Sequence, residues 1–383
     1  MKKIKFLTAG ESHGKLLMGI LEGIPSNLEI DEAYIHKQLQ RRQLGFGRGK
    51  RMQIESDYAK IYTGVRLGKT LGSPIGMMIQ NKDWENWKNK MSIKSSDLEI
   101  KKITLPRPGH ADLAGALKYD FDDIRNVIER SSARETAMRV AIGSICRKLL
   151  EHFHIYIGSY VSSIYKAKDP NDYSHLSPQE INEQADKSQV RSLNLNIEKE
   201  MIAHIANAKE KGDSVGGSFN IVVKGVPYGL GSYVSWDSKL NARLGQAILS
   251  INGIKSVSVG DGSNSENKPG SQLHDEIDFD KTFIRLSNNC GGIEGGMSNG
   301  QDILLSATMK PIPTLIKPLK SVDITSKEKL LAHKERTDSC SVPAASIIAE
   351  SMVAMVVCDA LLEKFGGDSL EQLENHMQCS AQF

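Results

Sequence analysis

The sequence predicts an α+β fold in which a layer of buried helices is covered by sheets. Two observations carry this. Two helix-forming segments are apolar on nearly every face, and a helix that is greasy all round must be buried on all sides. The strand-forming segments come in clusters and do not alternate regularly with helices, which argues against a doubly wound parallel sheet. The composition suits such a core: of 383 residues, 39% are hydrophobic and 25% charged, close to the soluble globular average. Disordered, collagen-like and disulfide-scaffold classes are excluded.

In chain order, the first strand is Ile4 to Leu7. The first helix runs from about Ala133 to Phe153, with Ala137, Val140, Ala141, Ile145, Leu149 and Phe153 at helical spacing and Met138, Ile142 and Leu150 on the other side. Ser132-x-x-Glu135 at its start has the form of a capping box. Strands follow at His154 to Ile164, Gly217 to Val226, Ser256 to Val259 and Ile303 to Thr308, where β-branched residues and alternation suit half-buried sheets. The second helix starts near Pro343, a residue favoured at a first helical position, and carries Ile347, Ile348, Met352, Met355, Val356 and Leu361. Long loops lie at 44–51, 169–189, 260–268 and 291–300. Segment 169–189, rich in Asp, Ser, Gln and Glu, reads as a solvated insertion.

Charge and cysteine usage narrow the function classes. Lys plus Arg number 49 against 46 Asp plus Glu, a net charge of +3. A dedicated nucleic-acid or membrane-surface protein normally needs a larger cationic surplus. The five cysteines never form a CxxC pair, so neither a disulfide framework nor a thiolate metal site is expected. The apolar start Ile4 to Leu7 is cut off by Gly10-Glu11-Ser12-His13, and the run Ile347 to Leu362 is interrupted by Glu350 and Asp359, short of the ~20 residues of a membrane span. A cytoplasmic protein is expected.

Reactive residues sit among glycines, which let backbone approach a ligand closely. His13 lies in Gly10-Glu11-Ser12-His13-Gly14, where flanking glycines leave it little to pack against, and an imidazole suits proton transfer near neutral pH. His110 lies in Arg107-Pro108-Gly109-His110-Ala111-Asp112, where Asp112 can cap the next helix and leave His110 free. Arg41, Arg42, Arg48 and Arg51 surround Gly45 to Gly49; Arg125, Arg130, Arg134 and Arg139 straddle the first helix start beside Ser131 and Ser132. A helix start with guanidinium forks is an anion site. The first cluster on its own also suits a solvated basic turn, whereas a Gly/Arg RNA-binding segment is weakened by Phe46 being the only interleaved aromatic and by the near-neutral net charge. Neither GxGxxG nor a Walker sequence occurs. Arg336 and Asp338 precede the second helix, which Asp338 can also cap.

These stretches, together with Arg48 to Asp57, Pro106 to Asp112, Glu129 to Thr136, Gly291 to Gly300, Lys310-Pro311-Ile312-Pro313-Thr314 and Arg336-Thr337-Asp338, resemble the chorismate synthase family from residue 8 to about 360. The resemblance implies a β-α-β sandwich with a helical core between antiparallel sheets, one catalytic domain over 1–363, and a C-terminal tail over 364–383. It implies a lyase that removes phosphate from 5-enolpyruvylshikimate 3-phosphate by 1,4-anti elimination, with reduced FMN required and NADPH used only if the enzyme reduces its own flavin. His13, His110 and Asp338 are the implied catalytic residues, and Arg42, Arg48 and Arg134 the implied substrate, anion or NADP ligands. For FMN the resemblance points to Arg130, Ser131, Ser132, Asn252, Gly253, Gly295, Lys310 to Thr314 and Arg336. It further implies a homotetramer, with no metal, nucleic acid or membrane partner.

Overall fold

The structure is a computed structural model that describes residues 1–49, 56–95 and 99–380. The expected sandwich is present. One sheet has the order β1 (Lys5–Ala9), β2 (Leu16–Glu22), β4 (Ile75–Gln80), β3 (Ala59–Ile61), antiparallel throughout. The other has the order β8 (Ile254–Val259), β9 (Ile303–Met309), β7 (Gly217–Lys224), β5 (Tyr156–Ile164), β6 (Ala167–Lys168), also antiparallel.

Between the sheets lie α1 (Glu32–Gln43), α4 (Thr136–His152) and α8 (Val342–Phe365). α4 packs on β1 and β2, α8 packs on β5 and β7, and the two helices pack on each other. Gly143 permits close contact between them: a Cβ there would lie 2.6 Å from the Ser351 Cβ and 2.7 Å from its main-chain oxygen. α8 is long and apolar enough to cross a membrane, yet the whole of that apolar window is buried inside the protein. Its composition is that of a core helix clothed on every side.

Two local expectations change, and the C-terminal tail takes a defined place. Ser132 caps a short 3-10 turn, Ala133–Glu135, by accepting from the Arg134 N–H, while the Glu135 carboxylate pairs with Arg139. No reciprocal capping box forms. Segment 169–189 is not simply solvated: it folds into α5 (Pro178–Ala185), whose Ile181, Asn182 and Ala185 are buried against β5. The tail beyond residue 363 is docked as well, because α9 (Leu370–Cys379) buries Leu373 in the main core and Ser369 bridges to Ser26.

The core is also ionic. Glu350, on α8 and 1% exposed, accepts from Arg41 of α1, from Arg147 of α4, from Arg191 and from Ser159 of β5. Asp186, at the C-terminal end of α5, pairs with Arg41 and Arg191. One buried carboxylate thus ties α1, α4, α8 and the second sheet together.

Candidate active site

A cleft of about 600 Å³ opens at one end of the helical layer, where the loops after β1 and β9 meet the starts of the buried helices. Among the described residues, its lining carries seven cationic side chains (Arg42, Arg48, Arg107, Arg134, Lys255, Lys310, Arg336) against two carboxylates, Glu335 and Asp338. A site of that volume and charge suits organic anions.

His13 reaches the cleft from the loop between β1 and β2. It is not loosely packed, as its glycine neighbours suggest; it is 6% exposed and stacked on Trp87 with ring centroids 3.9 Å apart. Its Nδ1 lies 2.9 Å from Oε1 of buried Glu129, on α3 (Arg125–Ser131). Its main-chain N–H donates to Oε2 of the same carboxylate at 2.7 Å. Burial works against ionisation of Glu129, but the hydrogen bonds from His13 and the nearby Arg125 charge outweigh it and hold the carboxyl below its ordinary value.

His110 has a parallel arrangement. Asp112 opens α2 (Asp112–Tyr119), but its carboxylate does not cap that helix and does not leave His110 free. It faces His110 Nδ1 at 2.6 Å and takes a two-pronged contact from Arg107, at 2.8 Å to Nε and 3.0 Å to Nη2. Burial opposes ionisation, yet His110 and Arg107 together hold Asp112 well below the usual carboxylate range. Both imidazoles of the cleft are therefore held through Nδ1 by a buried carboxylate.

Arg42 and Arg134 share Asp57, which is fully buried at the back of the cleft. Burial lowers the Arg42 guanidinium to about 10, with Arg48 and Arg134 adding to the fall and Asp57 opposing it. Crowded, desolvated cations of this kind gain most from an incoming anion. Asp338 does not cap α8; its carboxylate accepts from the Gly49 N–H at 2.6 Å, from Ser341 at 3.0 Å and from Arg48 at 3.0 Å. Arg51 and the rest of the motif from Lys50 to Glu55 lie outside the described residues.

Of the residues that the resemblance assigns to the flavin, Ser131, Ser132, Asn252, Gly253, Lys310 to Thr314 and Arg336 line the same cleft. Arg130 and Gly295 do not. Arg130 braces the loop after β1, donating to the Thr8 and Gly10 carbonyls, and Gly295 sits at an open turn with nothing within 4 Å of a Cβ. Arg336 donates to buried Asp83 at 2.6 Å. Among the described residues, the Asn252 Oδ1 is buried without a hydrogen-bond partner while its Nδ2 donates to the Ser131 carbonyl. An orphaned acceptor in an anion-binding cleft fits the N–H of a bound heterocycle.

Trp87 and Asp83 escaped the sequence reading, and Asp57 entered it only as the end of the stretch from Arg48, with no role assigned. Each acts through a partner far away in the chain, so no local spacing marks it. Arg41 belongs to the Glu350 network and not to the cleft, although it adjoins Arg42.

The chain matches the family model described as chorismate synthase over residues 4–362. It is 54% identical over 371 residues to the chorismate synthase of Alkaliphilus metalliredigens, spanning 96% of this chain and 97% of that protein. It is 49% identical over 387 residues to the chorismate synthase of Aquifex aeolicus, spanning 99% and 97%. A crystal structure of a chorismate synthase superposes with a TM-score of 0.80 at 40% identity, covering 99% of this chain and 97% of that one.

Proposed function

The chain belongs to the chorismate synthase family, and from that premise we propose how its cleft carries out the family's lyase reaction in aromatic amino acid biosynthesis. In that reaction 5-enolpyruvylshikimate 3-phosphate loses phosphate from C3 and hydrogen from C6 to give chorismate. The observation that carries the reading is the convergence of two carboxylate-held imidazoles and a cationic surplus on one cavity.

A substrate with one phosphate and two carboxylates needs several fixed cations. Arg42, Arg48 and Arg134 supply them, and Asp57 and Asp338 hold them in position before substrate arrives. Preset charge of this kind stabilises the departing phosphate with little reorganisation. With Nδ1 occupied by Glu129, His13 delivers a proton from Nε2 to the leaving group. His110, held by Asp112, manages a proton on the cofactor side of the cleft. Asp338 is assigned to removal of the C6 hydrogen, with Arg48 and Ser341 orienting its carboxylate.

The lining fits reduced FMN. Gly109 and Gly253 adopt φ of +77° and +82°, which brings main chain to the cavity without side chains. Ser131, Ser132, Asn252, Gly253, Lys310 to Thr314 and Arg336 would hold the cofactor. Bound there, reduced FMN would supply transient electron density to phosphate expulsion, returned on loss of the C6 hydrogen, with no net redox change. NADPH is needed only if the protein reduces its own flavin, and NADPH oxidation by the pure protein with FMN would reveal that activity.

We place the protein in the cytoplasm as a homotetramer. The burial of α8 supports the first assignment. Exposed Ile277, Phe279 and Phe283 on the 277–285 hairpin support the second. The deciding experiment combines pure protein, chemically reduced FMN and the enolpyruvyl substrate without oxygen. Chorismate and phosphate should appear in equal amounts; absence of both overturns the reading.

A further inference from the structure

We propose that Glu129 is a positioning residue that sets the tautomer of His13, keeping the ring proton on Nδ1 so that Nε2 alone exchanges protons with the substrate. The proposal rests on the reading of His13 as the proton donor to phosphate.

Two donors of the same residue meet the two oxygens of one carboxylate. The His13 main-chain N–H reaches Oε2 at 2.7 Å, and the ring Nδ1 faces Oε1 at 2.9 Å. The main-chain oxygen of Glu129 also accepts from the Ser12 N–H at 2.9 Å, so loop and side chain are fixed by a single residue. An ionised carboxylate only accepts hydrogen bonds, so Nδ1 must be the protonated nitrogen. The low carboxyl value of Glu129 keeps it ionised at neutral pH. The ring cannot turn easily to escape this contact. Trp87 stacks on it at an interplanar angle of 25°, and Arg125, itself 3.3 Å from Glu129 Oε1, lies 5.0 Å from the Trp87 ring centroid.

With Nδ1 committed, uptake and release of the working proton both fall to Nε2. The same division of labour holds wherever a buried carboxylate orients a catalytic imidazole.

The carboxylate is needed because an amide cannot replace it. Glutamine offers one acceptor oxygen and one NH₂ group to three donors: the main-chain N–H, the ring Nδ1–H and, more distantly at 3.3 Å, Arg125, whose long side chain can turn away to its other partner, Glu335. The main-chain N–H cannot change its chemistry, so it claims the oxygen, and the NH₂ then faces Nδ1. The ring must answer with a lone pair at Nδ1 and carry its proton on Nε2. Glu129→Gln therefore reverses the tautomer while hardly altering volume.

The test reads the tautomer directly. The full chain is labelled with ¹⁵N-histidine, and long-range ¹H–¹⁵N spectra are recorded above the titration of the ring, with His13 identified by its loss in His13→Ala. The parent should show the Nδ1–H form and Glu129→Gln the Nε2–H form. In turnover, Glu129→Gln should lose about 10²-fold or more in kcat, with KM within about threefold, as expected for a misdirected proton-transfer group. An Nε2–H ring in the parent overturns the proposal, and that measurement needs neither substrate nor any change at Glu129. An unchanged tautomer in a folded Glu129→Gln protein, or a kcat within fivefold of the parent, overturns it too. Because the spectra are taken without substrate, failure of the tautomer assignment is distinguishable from failure of the assigned reaction.

Discussion

Replacing Glu350 with Gln removes the one negative charge that Arg41, Arg147 and Arg191 share in the core. Two routes give the cost. Burial alone would raise the Glu350 carboxyl, but the three guanidinium groups draw it from 4.5 down to about 2. A fall of that size corresponds to about 3 kcal/mol of folding free energy. Breaking a buried ion pair by removing one partner costs about 3–5 kcal/mol, which agrees. The sign with pH follows from the depressed value. The contribution is fully present above about 4.5 and disappears as pH falls through about 2. Urea unfolding followed by far-UV dichroism should therefore show Glu350→Gln less stable by about 3 kcal/mol at pH 7, with the gap closing in acid. Arg41 adjoins Arg42, so loosening the network should also raise KM for the anionic substrate. A loss below about 1 kcal/mol, or a gap that does not change with pH, would refute the assignment of the network as a stabilising tie.

The remaining expectations concern the cleft and the helix contact. His13→Ala and His110→Ala should each lower kcat by ~10² or more, measured as chorismate formation; unchanged rates would remove the proton-transfer roles. Asp112→Ala leaves the Arg107 charge buried and His110 unheld, so it should both destabilise the fold by about 3 kcal/mol and slow turnover, and a stable, fully active variant would contradict the pairing. Gly143→Val forces a branched side chain against Ser351 and should cost about 1–3 kcal/mol in thermal or urea unfolding. A variant as stable as the parent would show that α4 and α8 are free to separate.

Much of the architecture was legible because α4 and α8 are apolar all round, a pattern that only a covered helical layer satisfies. Other elements were hidden for identifiable reasons. β2 carries Leu17 and Leu21 inward but Met18 and Ile20 outward and exposed, so the unbroken apolar run shows no alternation. α1 buries Gln38, Arg41 and Arg42 beside Ile35 and Leu39, and its polar inner face makes a core helix look like a surface one. α5 was concealed in the same way, because Asn182 and the adjoining Asp186 serve as partners for buried arginines. At the site, the motifs marked the imidazoles and arginines but not the groups that aim them. Glu129 lay inside those motifs without declaring a role, Asp112 read as a helix cap when it holds His110 and Arg107, and Trp87 stands 74 residues from the histidine it covers.

The most direct measurement is a structure of the protein with reduced FMN and the enolpyruvyl substrate bound together. Both ligands should occupy the cleft between His13 and His110, the substrate phosphate among Arg42, Arg48 and Arg134, with His13 Nε2 facing the leaving oxygen. Ligands bound elsewhere, or a cleft that admits only one imidazole to them, would contradict the convergence on which the proposed chemistry depends.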